Sequence, residues 1–296
     1  MATLAARPVR RVAGLPELDR CAVMGVVNVT PDSFSDGGKY LEPAAAIGHG
    51  LELLGAGVDY LDIGGESTRP GAVRVTEEEE LRRVLPVISA LAGEGAVVSV
   101  DTMRAAVARR AVEAGAVIIN DVSGGQADPE MIPFVAAAGV PYILMHWRGH
   151  SADMNSRAVY SDVVADVRRE LTHLVELAVA GGIGFESIVL DPGLGFAKNA
   201  GHDWSLVGRL DALHAPGRPL LIGASRKRFL GRLLAGPDGE PRPAPDRDVA
   251  TIALTALVAA HGAWAVRVHA AAEAIDAVRV AAAVGDPDYA TRTGDR

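Results

Sequence analysis

Short apolar runs rich in β-branched residues alternate with alanine-rich stretches along the whole chain. The runs are almost continuously apolar, which is typical of parallel strands covered on both faces, and the stretches between them have helical periodicity. The pattern therefore predicts an α/β protein with eight strand–helix units. The predicted strands are 22–29, 58–65, 96–102, 117–124, 141–147, 187–193, 219–225 and 263–269.

Residue types at the ends of these stretches predict where helices begin and stop. Thr76 followed by Glu79 has the spacing of a capping box, and further acids stand in the same first turn. The segments 55–57 and 113–115 end in glycine, which commonly follows the last turn of a helix. These signals support the alternation of strands and helices.

Eight such units without a linker or a change in composition favour a closed (β/α)₈ barrel, a TIM barrel, in one domain spanning 22–284. A doubly wound open sheet is the alternative that the repeat alone leaves open. Residues 1–21 are predicted to be an N-terminal extension, and 285–296 a polar C-terminal tail that frays. The turn-rich segment 235–248 predicts a long surface loop.

Composition and charge narrow the class of protein. Of the 296 residues, 49% are hydrophobic, which is enough for a full globular core. A formal net charge of −8 argues against a general nucleic-acid binder, and no apolar run has the length of a membrane span. The single cysteine, Cys21, excludes an internal disulfide and suggests a reducing compartment. We therefore expect a cytoplasmic protein.

Polar or charged residues stand at the C-terminal side of nearly every apolar run. In a parallel barrel these strand ends meet on one face, which is where such barrels carry their sites. A single carboxylate there usually caps the next helix, and this simpler explanation is favoured for Asp121. Eight strand ends with the same character favour a site. The set comprises Asn28, Asp62, Glu66, Asp101, Asn120, Asp121, His146, Asp191, Ser225, Lys227, Arg267 and His269.

One part of this set predicts a heterocycle site. Asp101, Asn120 and Asp191 would place acceptors, with one amide donor, in a mostly apolar cavity. A buried carboxylate is costly unless it is paired. A flat heterocycle with an amino group beside a ring N–H offers the two parallel donors that such a carboxylate accepts.

The other part predicts an anion site. The basic segment 225–228 stands at a predicted helix start, and Arg267 and His269 come from the last strand, so phosphate or carboxylate would suit this side. Each of these features also has a simpler explanation when it is taken singly. The basic segment is typical of a solvated turn, His269 is typical of a hydrogen-bonded histidine at a strand end, and His146 is explained by packing. The chain contains neither zinc-type His/Cys spacing nor a P-loop or dinucleotide-binding glycine motif.

Eight segments resemble, in order and spacing, those of the dihydropteroate synthase family of folate biosynthesis. The resemblance runs from about residue 22 to about residue 284 and implies a (β/α)₈ barrel, usually a homodimer. The implied transferase reaction joins 6-hydroxymethyl-7,8-dihydropterin pyrophosphate to 4-aminobenzoate, gives 7,8-dihydropteroate and pyrophosphate, and requires Mg²⁺. The segments are MGVVNVTPDSFSDGG (24–38), LDIGGESTRPGA (61–72), VSVDT (98–102), INDVSGG (119–125), LMHW (144–147), LDPGLGF (190–196), GASRKRFLG (223–231) and VRVH (266–269).

The resemblance implies a role for each matching residue, and Mg²⁺ is expected to bridge pyrophosphate and the side-chain oxygen of Asn28. The implied pterin ligands are Asp101, Asn120, Met145, Asp191, Phe196, Gly223 and Lys227. The implied pyrophosphate ligands are Asn28, Thr68, Arg69, Arg267 and His269. The implied 4-aminobenzoate ligands are Phe34, Thr68, Arg69, Pro70, Phe196, Ser225 and Lys227. The implied catalytic residues are Asn28, Asp36, Lys227, Arg267 and His269.

Segments 28–38 and 65–72 resemble two mobile loops that close over the substrates, with glycine and proline as hinges. The implied chemistry is dissociative, and competition by sulfonamides, which resemble 4-aminobenzoate, is expected. Three alternatives are a non-catalytic pterin-binding paralogue, a pterin-dependent methyltransferase and an unrelated phosphate-binding barrel. The complete set of anion-site residues disfavours the first two, and the three pterin-facing Asp and Asn residues disfavour the third.

Overall fold

The computed structural model describes residues 11–30, 43–67, 74–149 and 154–294. Within these ranges, eight strands alternate with helices, and none of the helices is both long and apolar enough to cross a membrane. The strands are β1 (Ala22–Asn28), β2 (Tyr60–Gly64), β3 (Val98–Asp101), β4 (Ile118–Asp121), β5 (Tyr142–Met145), β6 (Ile188–Asp191), β7 (Leu221–Ile222) and β8 (Ala265–Val268). The helices are α1 (Pro43–Ala56), α2 (Glu77–Gly93), α3 (Ala105–Glu113), α4 (Met131–Ala138), α5 (Val163–Ala180), α6 (Ala200–Gly208), α7 (Leu210–Leu213), α8 (Arg228–Leu233), α9 (Asp248–Ala260), α10 (Ala271–Gly285) and α11 (Pro287–Gly294).

The strands are all parallel and form a ring. Their order in space is β6-β5-β4-β3-β2-β1-β8-β7. A parallel bridge between Leu190 and Leu220 joins β6 to the start of β7, with the Leu190 N–H donating to Pro219 O at 2.9 Å. The prediction of a (β/α)₈ barrel is confirmed, and the open doubly wound sheet is excluded.

Every strand lies inside its predicted apolar run and is shorter than that run. Each run extends one to three residues beyond its strand at the C-terminal end, where the chain leaves the ladder to enter a loop. β7 shows it most clearly, because only Leu221 and Ile222 keep strand pairing within the run 219–225. The last residues of the runs are therefore loop residues at the rim of the barrel.

The N-terminus of α2 confirms half of the predicted capping box. Thr76 caps the helix by accepting the N–H of Glu79 at 3.3 Å. The reciprocal half is wrong, because the Glu79 carboxylate accepts from Arg82 at 2.8 Å and from Arg83 at 2.7 Å. Charge-assisted bonds from guanidinium groups are stronger than a bond from a backbone N–H. α1 and α3 end within two residues of the predicted glycines.

A small hydrophobic cluster fills the N-terminal end of the barrel interior and includes Met24, Tyr60 and Trp264. Val12 belongs to the same cluster and is 6% exposed. The neighbouring Ala13 N–H donates to Glu186 O at 2.9 Å. The described part of the predicted N-terminal extension, from residue 11 onward, therefore packs against the bottom of the barrel.

Side chains alternate across each strand, and this alternation places the polar layer of the barrel. Inward-facing apolar side chains of the bottom cluster come from seven strands. Because side-chain direction has a period of two, the residues two positions later on these strands form the next inward-facing layer. In six of them these residues are Asp62, Asn120, Met145, Asp191, Gly223 and Arg267.

The C-terminal segment differs from its prediction. Residues 287–294 form α11, and Tyr289 on this helix is only 4% exposed. A frayed polar tail is therefore wrong for the described part of this segment, since one buried aromatic ring anchors it. The loop before α9 agrees with its prediction, because residues 235–246 are exposed.

Candidate active site

Predicted site residues lie side by side in the register of the barrel. Asn28 pairs with Gly64, Gly64 with Asp101, and Asp101 with Asn120. This row runs across the C-terminal ends of four neighbouring strands. The parallel ladder therefore brings together residues that are up to 92 positions apart, from Asn28 to Asn120, as the strand-end pattern predicts.

A buried carboxylate organises one side of this face. Asp62 is fully buried and accepts from Ser99 Oγ at 2.6 Å, from Asn120 Nδ2 at 3.0 Å and from Arg267 Nε at 2.6 Å. Arg267 Nη2 also donates to Asp101 Oδ2 at 3.1 Å. One guanidinium thus spans two carboxylates, and part of its fork remains for an anion.

These bonds orient the acceptors. The Asn120 amide nitrogen donates to Asp62, so the amide oxygen is the atom turned toward a ligand donor. Burial raises the pKa of Asp101 to about 8, and the Asp62 carboxylate adds to the rise while the Arg267 cation opposes it. The protonation of Asp101 is therefore sensitive to any charged ligand that enters the face.

Asp191 and Lys227 form the opposite side. Asp191 Oδ1 accepts the Gly193 N–H at 2.7 Å, and burial raises the pKa of this carboxyl against the pull of the Lys227 cation. A Cβ atom at Gly223 would lie 3.8 Å from Asp191 Oδ2 and 3.9 Å from Lys227 Nζ. These are ordinary van der Waals distances, so Gly223 borders both charged groups.

Lys227 also contacts the loop between β6 and α6. Its Nζ donates to Leu194 O and lies 5.0 Å from the centre of the Phe196 ring. Burial lowers the pKa of Lys227, and the carboxylates of Asp191 and Asp203 oppose that shift. The loop therefore presents an aromatic face and a carbonyl to a cation that borders the site.

Ser225 and His269 meet at the rim, where the chain leaves β7 and β8. Ser225 Oγ lies 2.9 Å from His269 Nδ1 and accepts the His269 N–H at 3.2 Å. Arg226 turns away from them, because its guanidinium binds Asp248 at 2.6 and 2.7 Å. The predicted basic segment therefore contributes Ser225 and Lys227 to the face, while Arg226 ties it to α9.

The residues predicted in the two loops lie outside the described residues. The base of the second loop is fixed on both sides, because Glu66 accepts from Arg74 Nε at 2.8 Å and from Arg104 Nη1 at 2.6 Å. The predicted residues outside the described ranges are Phe34, Asp36, Thr68, Arg69 and Pro70.

The sequence from residue 24 to residue 269 matches the family model described as pterin binding enzyme. The chain belongs to the pterin-binding enzyme family. A curated relative from Mycobacterium leprae (strain TN), named dihydropteroate synthase, is 55% identical over 262 residues, which cover 88% of this chain and 92% of the relative.

Two solved structures of Xanthomonas albilineans dihydropteroate synthase are similar to this pterin-binding enzyme. The structure with 4-aminobenzoic acid has a TM-score of 0.86 and 44% identity, and the match covers 94% of this chain and 98% of that one. The structure in complex with 7,8-dihydropteroate has a TM-score of 0.83 and 41% identity, covering 94% of this chain and 99% of that one.

Asp121 has a structural role in this pterin-binding enzyme. Its carboxylate accepts the N–H groups of Ser123 and Gly125 and the hydroxyl of Tyr142, each at 2.8 Å. It faces away from the barrel interior and holds the loop after β4. The simpler explanation favoured by the sequence, local capping rather than ligand binding, agrees with this geometry.

Three buried polar residues at this end of the barrel have no predicted ligand. Asp62 belongs to the strand-end set but orders Asn120 and Arg267 instead. His146 lies 2.8 Å from Glu170 and 3.0 Å from Lys198, so packing alone does not account for it. Lys198 is 8% exposed and stands outside the strand-end pattern altogether.

The side-chain oxygen of Asn28, at the end of β1, fits a magnesium ion that is bound mainly by the phosphates of a substrate. Among the described residues, no group of three or more His, Cys, Asp or Glu side chains could hold a metal ion. The Asn28 side-chain oxygen is at the rim, 3.8 Å from where a Cβ at Gly64 would lie. Mg²⁺ usually takes one or two protein oxygens and completes its shell with substrate phosphates and water.

Proposed function

We propose that the chain catalyses the dihydropteroate synthase reaction of folate biosynthesis. This transferase joins 6-hydroxymethyl-7,8-dihydropterin pyrophosphate to 4-aminobenzoate and releases 7,8-dihydropteroate and pyrophosphate. The observation that supports it most directly is the buried set of acceptors Asp101, Asn120 and Asp191, which faces the cations Arg267 and Lys227 across one barrel end. Membership of the pterin-binding enzyme family and the named relatives support the same reaction.

The pterin lies among these acceptors in the proposed complex. Its amino group and ring N–H face Asp191 and the oxygen of Asn120, and Asp101 accepts from the opposite edge. Met145, the inward residue of β5, is 2% exposed and pairs in register with Asp191. It supplies an apolar wall beside the donors, as flat ligands require.

Pyrophosphate lies on the side of Asn28, Arg267 and His269, with Thr68 and Arg69 reaching it from the second loop. Mg²⁺ would be held through the Asn28 side-chain oxygen, and when bound it supplies positive charge to the leaving group. The Asp62 carboxylate orients the Arg267 guanidinium at 2.6 Å. This arrangement holds the cation in place before the leaving group develops charge.

The 4-aminobenzoate lies between the loops and the β6–α6 segment. Phe34 and Pro70 cover it from the loops, and Phe196 and Ser225 line it from the barrel. Lys227, 5.0 Å from the Phe196 ring centre, stands where the two substrates meet. Sulfonamides resemble 4-aminobenzoate, so they are expected to compete for this position.

The proposed chemistry is dissociative. The bond from the pterin methylene carbon to the pyrophosphate oxygen breaks first, and its electron pair leaves with pyrophosphate, which is stabilised by the Arg267 cation and by a hydrogen bond from His269. The resulting cation is delocalised into the dihydropterin ring. The neutral amine of 4-aminobenzoate then attacks the methylene carbon and passes a proton to water, while Asp36 assists the cation or loop closure. Positioning and electrostatics provide the catalysis, without a covalent protein intermediate.

The test measures pyrophosphate release from the dihydropterin pyrophosphate by purified protein, with and without 4-aminobenzoate and Mg²⁺. Release that needs both, with dihydropteroate formed in equal amount, is the expected result. Folded protein that binds dihydropteroate but releases no pyrophosphate would identify a non-catalytic paralogue or a pterin-dependent methyltransferase instead. Protein that binds no pterin would overturn the site itself.

We also propose a homodimer in the cytoplasm. Large apolar side chains are exposed on α9 and α10, which pack side by side: Val249 is 80% exposed, Leu257 59%, Val280 60% and Val284 60%. A second copy would cover this face, as exposed apolar patches of this kind commonly mark interfaces. The single cysteine supports a reducing compartment.

A further inference from the structure

Lys198 is a buried cation behind the loop that carries Phe196. It is 8% exposed, and its Nζ lies 3.0 Å from each of three acceptors, namely His146 Nδ1, Gly193 O and Phe196 O. Two of these acceptors are carbonyls of the β6–α6 loop, and the third is the imidazole at the end of β5. One side chain thus ties the loop to the neighbouring strand.

The hydrogen bonds define the protonation of this cluster. His146 Nε2 lies 2.8 Å from Glu170 Oε2. Burial alone would raise the pKa of Glu170, but bonds from His146 and Arg148 lower it to about 2, so this oxygen accepts. Burial lowers the pKa of His146 to about 4, so the ring is neutral with its proton on Nε2. His146 Nδ1 must therefore accept from Lys198.

Three acceptors around one nitrogen require three N–H donors. An ammonium has three and a neutral amine has two, so the geometry selects the charged form of Lys198. Burial lowers the pKa of Lys198 to about 7, and the carboxylates of Asp203 and Asp191 oppose this. These acceptors and carboxylates therefore keep Lys198 positively charged at near-neutral pH.

One residue connects this cation to the pterin carboxylate. The Gly193 N–H donates to Asp191 Oδ1 at 2.7 Å, and the Gly193 carbonyl accepts from Lys198 at 3.0 Å. A Cβ at Gly193, whose φ is +66°, would lie 2.5 Å from His146 O, so only glycine fits this approach. Asp191 and Lys198 thus share a single rigid turn.

We propose that Lys198 is a positioning residue of the pterin subsite, whose buried ammonium keeps Asp191 ionised for the ligand and fixes the loop that carries Phe196. Lys198 acts through Asp191 and the loop and does not touch the reacting atoms. This role rests on the proposed function, because it concerns recognition of the pterin by Asp191.

The residue type supports this role. The chain has only three lysines, Lys39, Lys198 and Lys227, among its 29 basic residues. Two of the three are charges that act on Asp191. A compact ammonium with three divergent donors suits the acceptors around Lys198, whereas the flat guanidinium fork of arginine does not. In this arginine-rich chain, a lysine stands where the surrounding acceptors fit a point charge.

The test compares the affinity of wild type and Lys198→Gln for 7,8-dihydropteroate by calorimetry across pH. Glutamine keeps N–H donors for the loop carbonyls and removes the charge. Without the cation the pKa of Asp191 rises, so binding should be about tenfold weaker than wild type at about pH 6. The deficit should shrink to about twofold at about pH 9, where Asp191 is ionised in both proteins and Lys198 has lost its proton.

Other titrating groups are common to both proteins, so the ratio of affinities isolates Lys198. Asp101 responds chiefly to Arg267, Asp62, Glu80 and Asp121. The charges acting on Asp191 are Lys227, Lys198 and Arg267. Those acting on Lys198 are Asp203, Asp191, Lys227 and Arg148. Arg110→Gln, which removes one exposed positive charge on α3, is the control and should bind as wild type does at every pH.

If Lys198→Gln binds dihydropteroate more weakly than wild type by the same factor at both pH values, the electrostatic role is overturned. Lys198 would then only hold the loop between β6 and α6 in place. If wild type and Lys198→Gln bind dihydropteroate equally well at both pH values, Lys198 has no role in the pterin subsite. Failure of wild type itself to bind dihydropteroate would instead count against the proposed function.

A second measurement uses wild type alone and does not depend on the variant folding. Selective ¹⁵N labelling of lysine yields three Nζ signals, which is few enough to assign. Lys198 should give an ammonium signal, protected from solvent exchange, in the dihydropteroate complex near neutral pH. A neutral amine signal for Lys198 in that complex would overturn the inference.

Discussion

Arg267 and Asp62 are 205 positions apart in the chain and are joined by a bond of 2.6 Å between Nε and Oδ2 inside the barrel. Asp62 is fully buried and holds Asn120 through the same oxygen. The guanidinium proposed to bind pyrophosphate and the amide proposed to bind pterin therefore have a common anchor. Asp62 couples the two halves of the site without being proposed to touch either substrate.

Asp62→Asn should therefore damage both halves. The amide would present N–H groups to the N–H donors of Arg267 or Asn120, and it would leave a buried cation with one carboxylate, Asp101. Removing one partner of a buried ion pair costs about 3 kcal/mol or more. We expect a loss of this order in the free energy of unfolding by urea, with a fall in turnover of at least about a hundredfold.

Asp286→Asn is the matched control, because Asp286 pairs with Arg292 at 2.8 Å on the surface. Exposed pairs contribute about 0 to 1 kcal/mol, so this variant should retain stability and turnover. Equal effects in the two variants would show that the Asp62–Arg267 bond has no special role.

Asp191→Ala should weaken pterin binding specifically. The change removes a buried acceptor and leaves ligand donors unpaired, which costs about 3 kcal/mol, or about a hundredfold in the dissociation constant for 7,8-dihydropteroate. Calorimetry measures this, with Asp238→Ala in the exposed loop before α9 as the control. Near-normal affinity of the Asp191 variant would contradict the pterin site.

His146→Gln should change how stability depends on pH. The pKa of His146 falls from its ordinary 6.5 to about 4 on folding because of burial. The unfolded chain therefore takes up a proton near its ordinary pKa, whereas the folded chain does not until about pH 4. Wild type should thus lose about 3 kcal/mol as the pH falls through this window.

Urea unfolding at several pH values measures that slope. The glutamine variant should lack it, since its side chain cannot titrate, while His173→Gln on the exposed face of α5 should keep it. An unchanged acid slope in the His146 variant would show that this ring is not held neutral.

Arg69→Ala should impair the use of 4-aminobenzoate without impairing the binding of the pterin. Arg69 lies outside the described residues, and its proposed contacts are with pyrophosphate and 4-aminobenzoate in the closed loop. We expect kcat/KM for 4-aminobenzoate to fall about tenfold or more, while 6-hydroxymethyl-7,8-dihydropterin, which carries neither pyrophosphate nor 4-aminobenzoate, still binds and the protein stays folded. Asp36→Ala should behave in the same way.

Arg74→Ala is the control for the Arg69 variant, because Arg74 stands just after the same loop and binds Glu66 at 2.8 Å. It should affect loop anchoring mildly and leave kcat/KM within about threefold. Loss of 6-hydroxymethyl-7,8-dihydropterin binding in the Arg69 variant would show that this residue acts on the pterin and not on 4-aminobenzoate.

Val249→Asp should disrupt the proposed homodimer. A charge placed within an apolar contact has no partner and must be desolvated. Sedimentation velocity should show a dimer for wild type and a shift toward monomer for the variant. Val159→Asp, which alters an equally exposed valine (76%) in the chain before α5, should leave the dimer intact. A monomeric wild type would refute the proposal directly.

The apolar runs and their polar ends carry the information that determines the barrel. A continuous run such as 58–65 is typical of a strand covered on both faces, and eight of them with helices between close into a ring. The period of two then brings Asp62, Asn120 and Asp191 inward above an apolar layer. The architecture and the location of the site follow from these local patterns, which hold along each element without reference to its neighbours.

The pairing of donors with acceptors is decided only by the tertiary structure. The bond from Arg267 to Asp62 exists because β8 closes on β1, and the bond from Lys198 to His146 exists because the loop after β6 folds over β5. Sequence spacing contains no signal for either bond, although the scarcity of lysine marks Lys198 as unusual. Local pattern determines which residues reach the face, and three-dimensional packing determines which charges neutralise each other there, because hydrogen bonds depend on distances that only the closed barrel sets.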